Sequence, residues 1–332
     1  MRFLVLQPAF LGDVILGLSV PQKLKRFYPQ AEVHYLIRKG FENVTANHPA
    51  IDQLWLFDRH KSKIKELYRV IKCLRQYDFD VVINLHRFFS SGLITAFLKA
   101  KEKVGYDKNP FSGTFDKVIQ HTFSMPDAPR PTHEVERYLQ LITHLTDDSF
   151  ERPRLYPSPQ DFQKISSYAI PKPYVVIAPA SLWATKRLPI EKWQELIEKI
   201  KYRFTICLIG GKEDYMPAQN LVNNSDRIFN FCGELSLMQS AAMIAHAHHI
   251  FTNDSAPMHL ASAVNTPTTA VFCSTIPAFG FGPLAEVSRI VEYRERLPCR
   301  PCGLHGHQKC PQGHFQCGKG IEISDLLASL TD

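Results

Sequence analysis

Ten short apolar runs punctuate this chain, and most are separated by stretches of helical period. Residues 2–6, 32–37, 51–57, 79–85 and 103–106 form one series; 174–179, 204–211, 229–233, 249–253 and 268–272 form a second. Apolar runs without alternation predict parallel strands covered on both faces, and the amphipathic segments between them supply the covering helices. The helical period is clearest over 14–27, 62–76, 132–146, 190–201 and 236–246, with a shorter stretch to about residue 47. Between the series, Pro153, Pro157, Pro159, Pro171 and Pro173 mark a linker with room for one short helix. Residues 107–131 show no period and read as a long loop. The expectation is an α/β protein of two Rossmann-like domains, residues 1–160 and 161–332, facing each other across an interdomain cleft.

Composition agrees with a two-domain globular chain: 332 residues, 45% hydrophobic and 21% charged. No apolar run approaches the roughly 20 residues that span a bilayer. Gln7, Pro8 and Asp13 interrupt the apolar start, which argues against a signal peptide and for a cytoplasmic location. The formal charge is +7, and the first hundred residues hold all of that surplus. A basic N-terminal half suits an anionic partner; a solvated surface is the simpler explanation of the run His60-Lys61-Ser62-Lys63-Ile64-Lys65.

In open parallel sheets ligands bind beyond the carboxyl ends of the strands, so the loops there carry the chemistry. Gln7-Pro8-Ala9-Phe10-Leu11-Gly12-Asp13 follows the first strand, with Asp13 at a helix start, and it lacks the glycine spacing of a dinucleotide site. His249 to Ala261 reads as strand, loop and helix start, with Asp254 and Ser255 suited to capping and Pro257 to a first helical turn. Such a helix start binds anions through its N–H groups, with Asp254 and His259 beside it. Arg38, Lys39, His86, Arg87 and Ser90 fall on other carboxyl-end loops of the first half.

Phe10-Leu11-Gly12-Asp13-Val14-Ile15-Leu16, Pro179-Ala180-Ser181 with Thr185-Lys186-Arg187-Leu188-Pro189, and Asn253-Asp254-Ser255-Ala256-Pro257-Met258-His259 together resemble glycosyltransferase family 9, the ADP-heptose:lipopolysaccharide heptosyltransferases. The likeness runs over nearly the whole chain. It implies a GT-B fold and an inverting, metal-independent transfer of heptose from ADP-L-glycero-D-manno-heptose to the lipopolysaccharide inner core. The resemblance makes Asp13 the base and Lys186 the cation that neutralises the departing diphosphate, with no cofactor required. Ser181, Thr185, Lys186, Glu213, Leu235, Asp254, Ser255, Ala256 and His259 would hold the nucleotide-sugar donor, with Asp214 competing with Glu213 for the ribose. Ala256-Pro257 departs from the family's more flexible loop. Gly12, Arg38, His86, Arg87 and Ser90 would meet the anionic acceptor, which the resemblance places at the cytoplasmic face of the inner membrane and so in peripheral contact with the chain. A family 9 transferase for another nucleotide sugar is one alternative. A nucleic-acid-binding protein with a Cys/His zinc module is another, disfavoured because the basic residues lack an interleaved aromatic platform.

Cys73, Cys207, Cys232 and Cys273 lie in apolar stretches and read as core thiols. Cys299, Cys302, Cys310 and Cys317 crowd a short segment with His305, His307 and His314. Structural zinc, unbound reduced thiols and disulfides are the three readings of that segment, in a chain whose expected compartment disfavours the last.

Overall fold

A computed structural model describes residues 1–125, 128–223 and 225–330. It divides into two units, residues 1–123 with 132–155 and residues 124–131 with 156–332. Each unit is built on a six-stranded sheet in which every paired strand is parallel.

The first unit runs β1 (Arg2–Gln7), α1 (Leu11–Gly17), α2 (Ser19–Phe27), β2 (Glu32–Arg38), β3 (Gln53–Phe57), α3 (Lys63–Leu74), β4 (Phe79–Asn84), α4 (Phe89–Phe97), β5 (Ala100–Tyr106), β6 (Lys117–Ile119) and α5 (Glu134–Gln140). The second runs α6 (Pro159–Ser166), β7 (Tyr174–Ala178), α7 (Ile190–Ile200), β8 (Thr205–Leu208), α8 (Tyr215–Gln219), β9 (Ile228–Asn230), α9 (Leu237–Ala245), β10 (His249–Asn253), α10 (Ala256–Val264), β11 (Thr268–Phe272), β12 (Ser288–Glu292), α11 (Gln316–Lys319) and α12 (Ile323–Leu327). The sheet orders are β3-β2-β1-β4-β5-β6 and β12-β11-β10-β7-β8-β9. Counted within its own unit, each is the doubly wound order 3-2-1-4-5-6, the two-sheet GT-B architecture. The strand order reverses between β1 and β4 and between β7 and β10, which brings the loops after those strands together.

Burial explains the apolar runs: β7 and β10 are buried along their whole length, and so is β1 apart from Arg2. The edge strands β6 and β12 escape the sequence pattern because they are covered on fewer sides; in β12 only Val291 is buried. The predicted helix over 14–27 is two helices. Pro21 lacks the N–H that would bond the Gly17 carbonyl, and the break at Leu18 falls one turn before it. The stretch near residue 47 shortens to a single turn, Glu42–Val44. Fully buried Lys23 on α2 reaches Asp147 at 2.8 Å, tying the segment after α5 back into the first unit. No helix among the described residues is long and apolar enough to cross a membrane.

Candidate active site

In the first unit, Phe10 stands in extended conformation before α1, and Asp13 is the third residue of that helix. Its carboxylate accepts from the Phe10 N–H, so part of its work is the helix cap that the sequence suggests. The rest is electrostatic. Removal from water, and then the nearby charge of Glu134, push the Asp13 carboxyl up to about 6, against the pull of the Phe10 and Asp13 N–H groups and the Tyr138 hydroxyl. The Gln7 side-chain amide donates to the Tyr138 oxygen at 2.8 Å, which leaves the phenolic hydrogen for Asp13 Oδ1 at 3.5 Å. Tyr35 donates to the Val14 carbonyl at 2.9 Å. Gly17 permits this approach, since a Cβ there would lie 2.5 Å from the Tyr35 hydroxyl oxygen. The result is a partly exposed carboxylate that is ionised at neutral pH yet about a hundredfold more basic than an ordinary aspartate, suited to taking a proton from a hydroxyl.

Cations surround that edge of the sheet. Arg38 ends β2 with its guanidinium 5.6 Å from the Phe41 ring centre. Arg87 follows β4 and lies 5.0 Å from the Phe123 ring. Arg59, which the sequence pattern does not single out, donates to the Pro8 carbonyl at 2.8 Å and lies over Phe10. It is close enough to Arg38, Asp13 and His86 for their charges to perturb one another. Its one signal in the sequence is its position, just beyond the third strand. Two expectations change. Lys39 is paired with Asp58 at 3.0 Å, so its charge is spent. Burial, with Arg59 and Arg87 nearby, lowers His86 to about 3, so it offers a neutral ring, 3.2 Å from the Ser91 hydroxyl, and no positive charge. Gly12 and Ser90 lie on the first turns of α1 and α4, both partly exposed.

In the second unit, the loops after β7 and β10 are joined by Asn253, whose side-chain amide donates to the Pro179 carbonyl at 2.8 Å and accepts from the Leu188 N–H at 2.9 Å. Lys186 Nζ and Asp254 Oδ2 are thereby brought to 2.6 Å. The Thr275 hydroxyl donates to the same oxygen at 2.6 Å, and Oδ1 has no partner among the described residues. Ser255 occupies the N-cap position of α10 and its side chain makes no capping bond; Pro257 has no N–H and the Met258 N–H donates to the Ser255 carbonyl at 3.1 Å, which leaves the Ala256 N–H at the helix start. Asp254 is therefore an ion-pair partner rather than a cap. An uncapped helix start beside a lysine can take an anion, and a carboxylate oxygen beside it can accept from hydroxyls.

Thr185 corrects an expectation. It is buried; its hydroxyl donates to the His307 carbonyl at 3.0 Å and accepts from the His307 N–H at 2.7 Å and from the Ser274 hydroxyl at 3.0 Å. It fastens the Lys186 loop to the His307 segment, and its one hydrogen is taken by the His307 carbonyl rather than left for a phosphate. Ser181 stays partly exposed, its carbonyl accepting from Arg187. Asp214 is held by the Gly211 N–H at 2.8 Å, which leaves Glu213 as the exposed carboxylate of that turn. Leu235 and Ala256 are partly exposed, and His259 is buried against Phe281.

The cysteine-rich segment folds onto this site. Arg300 donates to the carbonyls of Cys273, at 2.6 Å, and Thr275, at 2.7 Å, and pairs with Glu292; Cys302 N–H donates to the Ser274 carbonyl. Gly306, at φ +75°, lies so close that a Cβ would be 2.8 Å from both the Ser274 and Thr185 hydroxyl oxygens. The eight cysteines are free thiols. Cys299 Sγ is 3.6 Å from His314 Nε2, yet no group of three or more His, Cys, Asp or Glu among the described residues is arranged to hold a metal ion.

Residues 67–307 match the sequence profile of glycosyltransferase family 9 (heptosyltransferase). Lipopolysaccharide heptosyltransferase 3 of Escherichia coli is 25% identical over 281 residues, covering 80% of this chain and 82% of that protein. Among solved structures, E. coli ADP-heptose lps heptosyltransferase II superposes with a TM-score of 0.79 at 22% identity, over 100% of this chain and 98% of that one. E. coli heptosyltransferase WaaC with ADP gives 0.71 at 21% identity, over 87% and 92%.

Proposed function

Because the chain belongs to glycosyltransferase family 9, we propose that this glycosyltransferase is a heptosyltransferase of lipopolysaccharide core assembly that uses ADP-L-glycero-D-manno-heptose, inverts the anomeric centre and needs no metal. The observation that carries the reading is the Lys186–Asp254 pair at the start of α10: a cation and the positive end of a helix for a diphosphate, with a carboxylate oxygen alongside for sugar hydroxyls. In the proposed step Asp13 takes the proton of an acceptor hydroxyl as that oxygen bonds to the anomeric carbon. The bond from that carbon to the diphosphate oxygen breaks, and ADP leaves with the negative charge that Lys186 and the helix start offset. Attack from the face opposite the leaving group inverts the centre. Glu213 accepts from the ribose, Leu235 lies along the base, and Ser181, Ser255, Ala256 and His259 complete the donor pocket. Arg38, Arg59 and Arg87 meet the anionic groups of the acceptor, with Gly12, His86 and Ser90 as neutral contacts.

The likeness to E. coli heptosyltransferase WaaC, solved with ADP, supports an adenine nucleotide as the donor's carrier. The test is a transfer assay with ADP-heptose, UDP-sugars and GDP-sugars, on a lipid-borne inner-core acceptor, with and without EDTA, the product's anomeric configuration being read by NMR. Transfer from ADP-heptose alone, with inversion and undiminished by EDTA, is the expected result. Preference for another nucleotide, retention, or loss in EDTA restored by a divalent cation overturns the corresponding part.

A further inference from the structure

The outer face of α3 carries charge that the protein does not use. Lys65, Lys72 and Arg75 fall along one helical stripe, with Lys61 just before the helix, and the side chain of none of the four has an ion pair or hydrogen bond among the described residues. The helix's one carboxylate, Glu66, is buried and engaged by Arg69 and the Asp58 N–H. Set within the stripe are Ile64, 80% exposed, and Tyr68, 68% exposed, one turn apart. Helix α4 packs beside α3, has no charged residue, and exposes Phe89 and Phe97. Lys63 bridges the two helices, its ammonium 5.4 Å from the Phe89 ring centre. Residues 59–77 and 86–99 together hold nine Lys and Arg and the single carboxylate of Glu66.

We propose that this face of α3 and α4 docks on an anionic phospholipid surface, with Ile64, Tyr68, Phe89 and Phe97 entering the headgroup boundary and the lysines lying among the phosphates. A merely solvated face would not place Ile64 and Tyr68 in water between cations, since exposed apolar groups clustered within a polar rim mark contact surfaces. A nucleic acid fits less well: Tyr68, Phe89 and Phe97 offer rings to bases, but the face is the outer side of two helices rather than a groove that tracks a strand. Both helices begin at the sheet edge that carries Asp13, so docking would bring a lipid-borne acceptor to that edge. That use rests on the proposed function; the docking itself does not.

The test is co-sedimentation of the full chain with phosphatidylcholine vesicles, either pure or with one third phosphatidylglycerol, at about 0.1 M and about 1 M salt. Binding to the anionic vesicles at low salt alone is expected. Lys65→Gln with Lys72→Gln should weaken it about 25-fold, roughly fivefold for each cation, and Ile64→Ser with Tyr68→Ser should weaken it further. Melting temperature should hold in both variants, as should transfer to a water-soluble, delipidated acceptor, while transfer to vesicle-borne acceptor falls. Equal binding to both vesicle types, undiminished binding by the lysine variant, or displacement of vesicles by a single-stranded oligonucleotide at equal charge overturns the proposal. Failure of transfer with every nucleotide sugar would count against the proposed function and leave the vesicle result standing.

Discussion

Replacing Asp13 with Asn should stabilise the protein while destroying its activity, and the stabilisation should depend on pH. The carboxyl is raised from 3.8 to about 6 in the folded chain, so the folded state binds the proton more tightly than the unfolded state does. Ionising it therefore costs stability: nothing well below 3.8, the full amount above about 6. A rise of that size corresponds to about 3 kcal/mol at pH 8 and about half of that at pH 5. Asparagine stays neutral throughout and keeps an oxygen for the Phe10 N–H, but its amide hydrogens need acceptors, which offsets about 1 kcal/mol. The variant should therefore be about 2 kcal/mol more stable than the parent at pH 8, or about 4–8 °C in the melting of a unit this size. That gain should shrink to about 0.5 kcal/mol by pH 5. Turnover at saturating substrates should fall by about 10² to 10⁴. Melting curves of both proteins between pH 5 and 8, beside initial rates, make the measurement. A variant less stable than the parent at pH 8, or a difference that ignores pH, would refute the electrostatic account and leave Asp13 as a helix cap.

Tyr138→Phe removes a hydrogen bond that favours the charged carboxylate, so the acidic limb of the pH–rate profile should move up by less than one pH unit with donor affinity unchanged; a downward move would contradict the assigned donor direction. Lys186→Ala should abolish tight nucleotide-sugar binding and, by stranding buried Asp254, cost about 3 kcal/mol of stability. Adding Asp254→Asn should restore the melting temperature but not the binding, and recovery of binding in titration calorimetry would show that the pair is only structural. Gly306→Ala should cost about 1–3 kcal/mol and weaken donor binding without moving the acidic limb, because its Cβ would press on the Thr185 and Ser274 hydroxyls; an unchanged donor affinity would detach this segment from the site.

The parts of the fold legible in the sequence were those buried on both sides. Strands such as β1, β7 and β10 leave long apolar runs, whereas β12 exposes most of its residues and β6 spans three, so neither leaves a period to read. Helix α4 was hidden for the converse reason: Phe-Ser-Ser-Gly-Leu-Ile-Thr-Ala-Phe has no polar face to contrast with its apolar one. Within the candidate site, Asp13 and Asp254 stand out because loop and helix start coincide, and Lys186 because the resemblance to the family marks it. Arg59 does not, since a basic residue beyond a strand looks the same whether it faces water or a ligand. For Thr185 residue type suggests a phosphate donor and for His86 an acceptor contact of either charge, while surroundings distant in sequence fix what each can do: His307 for one, burial and then Arg59 for the other.

The fastening of Thr185 to His307, with Arg300 on the carbonyls beyond β11, changes how the last thirty-odd residues should be regarded. They resemble a tail in sequence, rich in glycine, proline and cysteine, yet the loop bearing Lys186 takes part of its shape from them. A stop codon or a bulky thiol adduct between 299 and 307 would thus act as a lesion of donor recognition at a distance in the chain, and engineered fusions at the C-terminus should leave everything from Arg300 onward intact.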